Sequence, residues 1–431
     1  MDQEIRPNSF AGQDAVIHGG HLLSLCRQAL ARYCGRAAIR LWNGEYLAGD
    51  EHSTTTILVR QPAVLPYLAA GSNLVSLGEA FLSGKIDVDG PIEAVFDLVD
   101  FIDKHGLQRG KRWQPLRFVL NLPAIGRSGA LRFWHTIRPM HHNNRASIAY
   151  HYDLSNDFYR LWLDPEMIYS CAYFHDEAQS LAAAQQDKLD YICRKLRLRS
   201  GKRLLDIGCG WGALICHAAA QYGVQAHGIT LSQEQHRYAC QRIQQEGLAN
   251  RVSVSLCDYR ELPETISYDA IASVGMFEHI GITHFPAYFG KIRRLLAPGG
   301  LFLNHGISND TGLLETPVSR FVNHYVFPDG ELTRISEVAA AMESAGFEII
   351  DVENLRQHYL LTCRHWVRRL EQAAAQVLEQ VDERTFRLWR LYLAGAAYYF
   401  QEGSLRLYQA LATSANRAAL PTPLRRDDLC L

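Results

Sequence analysis

Five short apolar runs mark the second half of the chain: Arg203–Ile207, Gln225–Ile229, Val252–Leu256, Tyr268–Val274 and Leu301–His305. Each has the length and bounding residues of a buried strand. Between them, Ala213–Tyr222, Gln233–Glu246 and Phe285–Leu296 place apolar residues at helical spacing, and the last runs into Ala-Pro-Gly-Gly, a helix stop. Strand and helix in alternation predict a mostly parallel sheet covered on both faces, with ligands collecting at the carboxyl ends of its strands.

The first 125 residues have a different texture. Ala37–Trp42 and Tyr46–Leu47 flank Asn43-Gly44, a hairpin signal; Thr54–Arg60 and Lys85–Val88 read as strands. Helical spacing covers Val64–Ala70, Leu74–Leu82 and Pro91–Lys104. These predict a small mixed α+β domain over 1–125, a connection over 126–148, and an α/β domain over 149–431. An aromatic-rich insertion, Phe321 to Phe327, follows the last strand, and a long helical section is expected from Leu360 to Ala412.

Composition adds little until charge is mapped along the chain. The 431 residues are 48% hydrophobic and 21% charged, with a net charge of −1, which excludes a polyelectrolyte binder as a whole. No apolar run is long enough to span a bilayer, and the start lacks the basic and apolar parts of a signal peptide, so a cytoplasmic location is expected. The ten cysteines include no Cys-x-x-Cys pair, which points to reduced thiols and to no metal site. From Lys104 to Tyr152, however, nine Lys or Arg residues occur with no Asp or Glu, interleaved with Trp113, Phe118, Phe133 and Trp134. Such a mixture suits a solvated linker, an anionic bilayer surface or nucleic acid.

The candidate chemistry sits where the first strand of the α/β domain ends. Asp206 precedes three glycines at alternate positions, Gly208, Gly210 and Gly212, and a helix follows. A dinucleotide loop would place its third glycine one residue later. This spacing resembles the first motif of the S-adenosylmethionine-dependent methyltransferases, in which the loop lies close against a nucleoside without a pyrophosphate to cradle. Past the later strands lie Gly275-Met-Phe-Glu-His, which carries Glu278, and Leu-Phe-Leu-Asn-His-Gly-Ile, which carries His305 and Ile307. Acid–base groups at adjacent strand ends beside a cofactor loop make a candidate site.

Further motifs in order make the resemblance specific. His151-Tyr-Asp-Leu-Ser-Asn-Asp-Phe-Tyr, Tyr169-Ser-Cys-Ala-Tyr-Phe, Thr230-Leu-Ser-Gln-Glu-Gln, Phe321–Pro328 and Gln357-His-Tyr-Leu-Leu-Thr are similar to segments of the cyclopropane-fatty-acyl-phospholipid synthases and mycolic acid cyclopropane synthases. The likeness covers roughly residues 149–412, and Leu77–Gly90 more weakly resembles the amino-terminal region of the phospholipid-acting members. The resemblance implies a Rossmann-like methyltransferase domain. It would transfer the methyl carbon of S-adenosylmethionine to a cis double bond of a phospholipid acyl chain, with proton loss to a bound bicarbonate closing the ring. By position, bicarbonate would be held by Cys171, Glu278, His305, Ile307 and Tyr359, with Cys171 and Ile307 contributing backbone groups. The cofactor would be held by Tyr169, Ser170, Asp206, Gly208, Cys209, Gly210, Thr230, Leu231, Ser232, Gln235, Asp258 and Tyr259. Tyr173, Phe174, Phe277 and Phe327 would offer ring faces to a cationic acyl chain.

The implied partners are a cis-unsaturated phospholipid and an anionic membrane surface bound peripherally, with no nucleic acid, and a homodimer formed through the amino-terminal domain. Three other readings remain open: methylation without ring closure, methylation of a small amine, and an inactive lipid carrier.

Overall fold

The computed structural model describes residues 22–70, 74–105, 154–312, 317–326, 330–414 and 422–425. His151–Asp153, Phe327 and nearly all of the basic stretch lie outside the described residues. The chain divides into two compact units, the first comprising the amino-terminal residues together with Pro317–Phe321.

In the first unit, strands β1 (Ala37–Leu41), β2 (Tyr46–Ala48), β3 (Thr55–Val59) and β4 (Ile86–Asp89) form a sheet in the order β2-β1-β3-β4. β1 runs parallel to β3 and antiparallel to β2. The hairpin at Asn43-Gly44 forms as the sequence predicts: Gly44 adopts φ 88°, a left-handed conformation that suits glycine. Among the described residues, four helices accompany the sheet: α1 (22–30), α2 (Leu65–Ala70), α3 (Leu74–Leu82) and α4 (Val95–His105). Ile39, Ile57, Val59, Leu68, Phe81 and Ile102 fill the interior.

Among its described residues, the second unit holds seven strands: β5 (Arg203–Ile207), β6 (Gln225–Thr230), β7 (Val252–Leu256), β8 (Tyr268–Val274), β9 (Leu296–Asn309), β10 (Phe347–Asn354) and β11 (Leu405–Ser414). Their order is β10-β11-β9-β8-β5-β6-β7. Pairing is parallel from β9 through β7, while β11 lies antiparallel between β9 and β10. The order reverses at β5, so β5 and β8 flank a topological switch point where an α/β sheet opens a crevice. The α/β expectation therefore holds, with a single strand reversed.

Helices α5 (Asn156–Arg160), α6 (Leu181–Lys195), α7 (Ala213–Tyr222), α8 (Gln233–Gln245), α9 (Phe285–Leu295), α10 (Pro317–Tyr325) and α11 (Ile335–Ser344) follow in chain order. α12 (Arg356–Gln372), α13 (Ala374–Gln380) and α14 (Glu383–Glu402) close the series. Among the described residues, no helix is long and apolar enough to cross a membrane.

Two expectations are corrected here. The helical section does not reach Ala412: Gly403, at φ 85°, caps α14 and Leu405–Ser414 becomes β11. The segment is rich in Leu and Ala, good helix formers, but it is paired on both sides, and its buried place inside the sheet overrides that preference. β9 in turn is longer than Leu301–His305, because β11 hydrogen-bonds along it as far as Asn309. His305 and Ile307 therefore lie within a central strand, two residues apart and on one face of it.

Candidate active site

A cleft opens at the carboxyl ends of β5, β6 and β8, lined by Tyr169, Ser170, Asp206, Gly208, Cys209, Gly210, Thr230, Leu231, Gln235 and Tyr259 together with Lys188, Trp211, Met276 and His279. The turn after β5 is pinned by the amides of Gly208 and Cys209, which both donate to Ile229 O at 2.9 Å. Gly208, Gly210 and Gly212 have φ of 81°, 53° and 87°, and a Cβ added at Gly210 would meet no atom within 4 Å. The loop thus leaves room beside bare backbone at the start of α7. Across the cleft, Ser232 caps α8 by accepting from Gln235 N at 3.3 Å, and Thr230 Oγ1 donates to Gln235 Oε1 at 2.8 Å. Ser232 itself shapes this wall without lining it.

Asp258 does not line the cleft. Its two carboxylate oxygens are taken by the Arg260 guanidinium, at 2.9 and 2.7 Å, and it caps the short helix that carries Tyr259. Cys257 and Tyr259, on either side of it, face the cavity instead. Asp206 is buried with Oδ1 unpartnered, and desolvation pushes its carboxyl up to about 7 against the opposing pull of Lys188. A buried acceptor without a partner is costly alone and calls for a ligand donor. Unpartnered Asp206 Oδ1 and the open glycine turn fit a ligand with a cationic amino-acid end and a nucleoside.

Hydrogen bonds tie four of the five residues expected to hold the anion into two sets, Glu278 with Ile307, and Cys171 with Tyr359 through Leu355 O. Ile307 N donates to Glu278 Oε1 at 2.7 Å, joining the segment after β8 to β9. Cys171 is fully buried, and its thiol donates to Ala172 O at 3.2 Å and lies 4.0 Å from Leu355 O. Leu355 O in turn accepts from Tyr359 N at 3.1 Å in the first turn of α12. Tyr359 lies within electrostatic reach of both Cys171 and Glu278, and desolvation holds its hydroxyl in the neutral form. Glu278 Oε2 and His305 Nε2 are buried without hydrogen-bond partners. Desolvation raises Glu278 to about 7, keeps His305 neutral, and raises the Cys171 thiol far from a thiolate. Cys171 is therefore no nucleophile here.

Of the four rings expected to face a cationic acyl chain, Phe327 lies outside the described residues and the other three pack against neighbours. Tyr173 packs on His358 at 4.5 Å and on Tyr191 at 4.4 Å, and Phe174 stacks on His365 at 5.6 Å, so these rings already have partners. Phe277 is buried against Phe285. Tyr359, itself one of the five, packs on Phe400 at 4.6 Å and meets Trp366 edge-on, and Tyr169 lies against Trp366 at 5.1 Å.

Helix α6 supplies side chains that sequence reasoning missed. Gln185 Nε2 donates to Ser170 O, and Lys188 Nζ donates to Ser170 Oγ, each at 2.9 Å, holding the Tyr169-Ser170 segment against the cleft. Gln185, Lys188 and Lys195 are all buried. Their signal was present: three polar residues share the stripe of Leu181, Ala184 and Ile192, where helical spacing calls for apolar ones.

The strand order with one reversed strand and the glycine turn at the switch point define an S-adenosylmethionine-dependent methyltransferase domain. Residues 140–410 match the family model described as mycolic acid cyclopropane synthetase. The chain is 40% identical over 377 residues to a probable fatty acid methyltransferase of Pseudomonas putida, covering 87% of this chain and 91% of that protein. It is 41% identical over 262 residues to the cyclopropane-fatty-acyl-phospholipid synthase of Escherichia coli strain K12, covering 61% of this chain and 66% of that one. Among solved structures, mycolic acid cyclopropane synthase CmaA1 complexed with SAH and CTAB aligns with a TM-score of 0.59 at 33% identity, covering 62% of this chain and 97% of that chain. The chain belongs to the cyclopropane synthase family, S-adenosylmethionine-dependent methyltransferases that act on lipids.

Proposed function

We propose that this enzyme places the methyl carbon of S-adenosylmethionine on a cis double bond of a phospholipid acyl chain and closes a cyclopropane ring, with bicarbonate as the proton acceptor. The observation that carries the reading is the pair of buried, unpartnered groups, Glu278 Oε2 and His305 Nε2, on segments joined by the Ile307–Glu278 hydrogen bond. Such groups are rare in a folded interior and fit a small polar guest.

S-adenosylmethionine, when bound, supplies a sulfonium methyl electrophilic enough for an isolated alkene. Asp206, Gly208, Gly210, Gln235 and Tyr259 would hold it, with Tyr169 and Ser170 kept in place by Gln185 and Lys188. Methyl addition leaves positive charge on the acyl chain, and the faces of Tyr169, Tyr359 and Trp366 would tolerate it. Ring closure then needs one proton removed from the new methyl, so the lipid gains one CH2 overall. Glu278, His305, Tyr359 and the backbone at Cys171 and Ile307 would hold bicarbonate, which takes up that proton. Burial of Glu278 and His305 keeps water from the cation.

A second reading has its own support, because the relatives matched over most of the chain are named fatty acid methyltransferases. Here the cation loses its proton elsewhere and the chain keeps a double bond. The basic, aromatic stretch from Lys104 to Tyr152 would bind an anionic bilayer, and the first unit would present the lipid or pair two copies.

Incubation with S-adenosylmethionine and vesicles of cis-monounsaturated phospholipid, followed by mass spectrometry of the fatty acids before and after mild hydrogenation, separates the readings. A gain of one CH2 that resists hydrogenation, lost in Glu278→Gln, supports cyclopropanation. The same gain with reducible unsaturation supports methylation, and unchanged lipid refutes both.

A further inference from the structure

His305 does not stand alone in its strand. Directly across the antiparallel pair β9–β11 lies Gln409, and Gln409 Nε2 sits 3.0 Å from His305 Nδ1. Either direction of that hydrogen bond is open to an isolated Gln–His pair, because an amide end donates or accepts according to which way it is turned. The third partner removes the choice. Lys195 Nζ lies 2.9 Å from Gln409 Oε1, and an ammonium only donates. The amide oxygen must therefore face Lys195, the NH2 must face His305, and Nδ1 must accept.

An imidazole that accepts at Nδ1 and is neutral carries its hydrogen on Nε2. His305 is neutral here: it is 1% exposed, and burial with two nearby ammonium groups disfavours its charged form.

Lys195 is anchored in turn. It is fully buried, pairs with Glu353 and lies 3.8 Å from Asp351, with the Tyr191 ring beneath it at 4.7 Å. Tyr191 OH donates to Glu353 Oε2 at 2.9 Å, which ties the anchor to α6. None of these residues lines the cleft, yet from Lys195 through Gln409 to His305 the donors all point one way, while Lys195 and Tyr191 also donate to Glu353.

We propose that Gln409, oriented by Lys195, is a positioning residue that holds His305 with its hydrogen on Nε2, so that His305 presents a donor to the bound oxyanion and cannot serve as the base. The functional half rests on the anion reading above, whereas the tautomer half stands on this geometry alone. The base is then the oxyanion or Glu278.

The test uses full-length protein labelled with 15N-histidine, the His305 signals being assigned by their loss in His305→Gln. The expected wild-type spectrum shows a pyridine-like Nδ1 and a pyrrole-like Nε2 with no lipid or cofactor added. A pyrrole-like Nδ1 overturns the proposal. Gln409→Glu keeps shape and can still bond Lys195, but places an acceptor against Nδ1. It should invert the tautomer and lower kcat by about 100-fold, the scale of losing one positioned oxyanion donor, with KM for S-adenosylmethionine little changed. Activity lost without inversion would reduce Gln409 to packing and overturn the proposal, as would inversion with full activity. Lys195→Met, which frees the amide to turn, should give a mixed tautomer, and a retained single tautomer would count against the orienting role. If the wild-type enzyme alters no lipid, the anion reading fails while the spectra still decide the tautomer.

Discussion

Gly306, between His305 and Ile307, offers a perturbation of a single methyl group. A Cβ there would stand 2.0 Å from Phe277 Cε1, 2.3 Å from Cδ1 and 3.1 Å from Glu278 Oε1. Ordinary contact begins at 3.4 Å, so the ring must retreat by about 1.4 Å. Phe277 is 2% exposed and backed by Phe285, with ring centres 5.9 Å apart, so it has little space to enter. Overpacking of this kind costs about 1–3 kcal/mol. In a unit of this size that lowers Tm by roughly 2–10 °C. Glu278 is the next residue, so the shift carries its carboxylate away from Ile307 N, and a displacement near 1 Å at a reacting group costs about 100-fold in rate. Gly306→Ala should therefore fold, melt lower and lose most methyl transfer, read by calorimetry and by transfer of labelled methyl to lipid. Gly290→Ala, whose added Cβ meets only the flexible Arg294 tip at 3.4 Å, is the control and should keep both stability and activity. A Gly306→Ala enzyme with wild-type Tm and kcat would refute the packing argument.

Three other outcomes follow from the same geometry. Glu278 rises from the ordinary 4.5 to about 7 on folding, so the native state holds a proton that the unfolded chain releases, and stability falls as pH climbs between these values. Glu278→Gln removes that penalty: its stability relative to wild type should improve from pH 4.5 to 7 by up to about 3 kcal/mol, and a pH-independent difference in denaturant titrations would contradict it. Thr362→Val strands the buried amide of Ala172, now 3.0 Å from Thr362 Oγ1, and should cost about 1–3 kcal/mol with a loss of activity; an unchanged denaturation midpoint would argue against that bond. Cys171→Ala should retain methyl transfer within about tenfold, because the thiol is neutral and only backbone is asked of it; complete loss in a folded variant would give the sulfur a role.

Much of the α/β unit was legible because its strands are near-continuous apolar runs and its glycine turn has one spacing. Arg203–Ile207, Val252–Leu256 and Tyr268–Val274 fall where hydrophobicity places them. β10 and β11 were not legible, since Phe347–Asn354 is half exposed and polar and Leu405–Ser414 has helix-forming composition. Only their pairing with β9 makes them strands, and that pairing is a long-range fact. The site shows the same division. Asp206 and Glu278 announce themselves at strand ends and His305 by its polarity in an apolar run, whereas Gln409 gains meaning only through its register opposite His305. Asp258 illustrates the converse, since nothing local in Asp-Tyr-Arg reveals that Arg260 occupies both its oxygens.

The most direct measurement gives the enzyme S-adenosylmethionine with a 13C-labelled methyl and cis-monounsaturated phospholipid vesicles, then reads the carbon spectrum of the extracted lipid. The account predicts label in a high-field ring methylene of the acyl chain. Label in a methyl branch, in an alkene methylene or in a headgroup amine would contradict it.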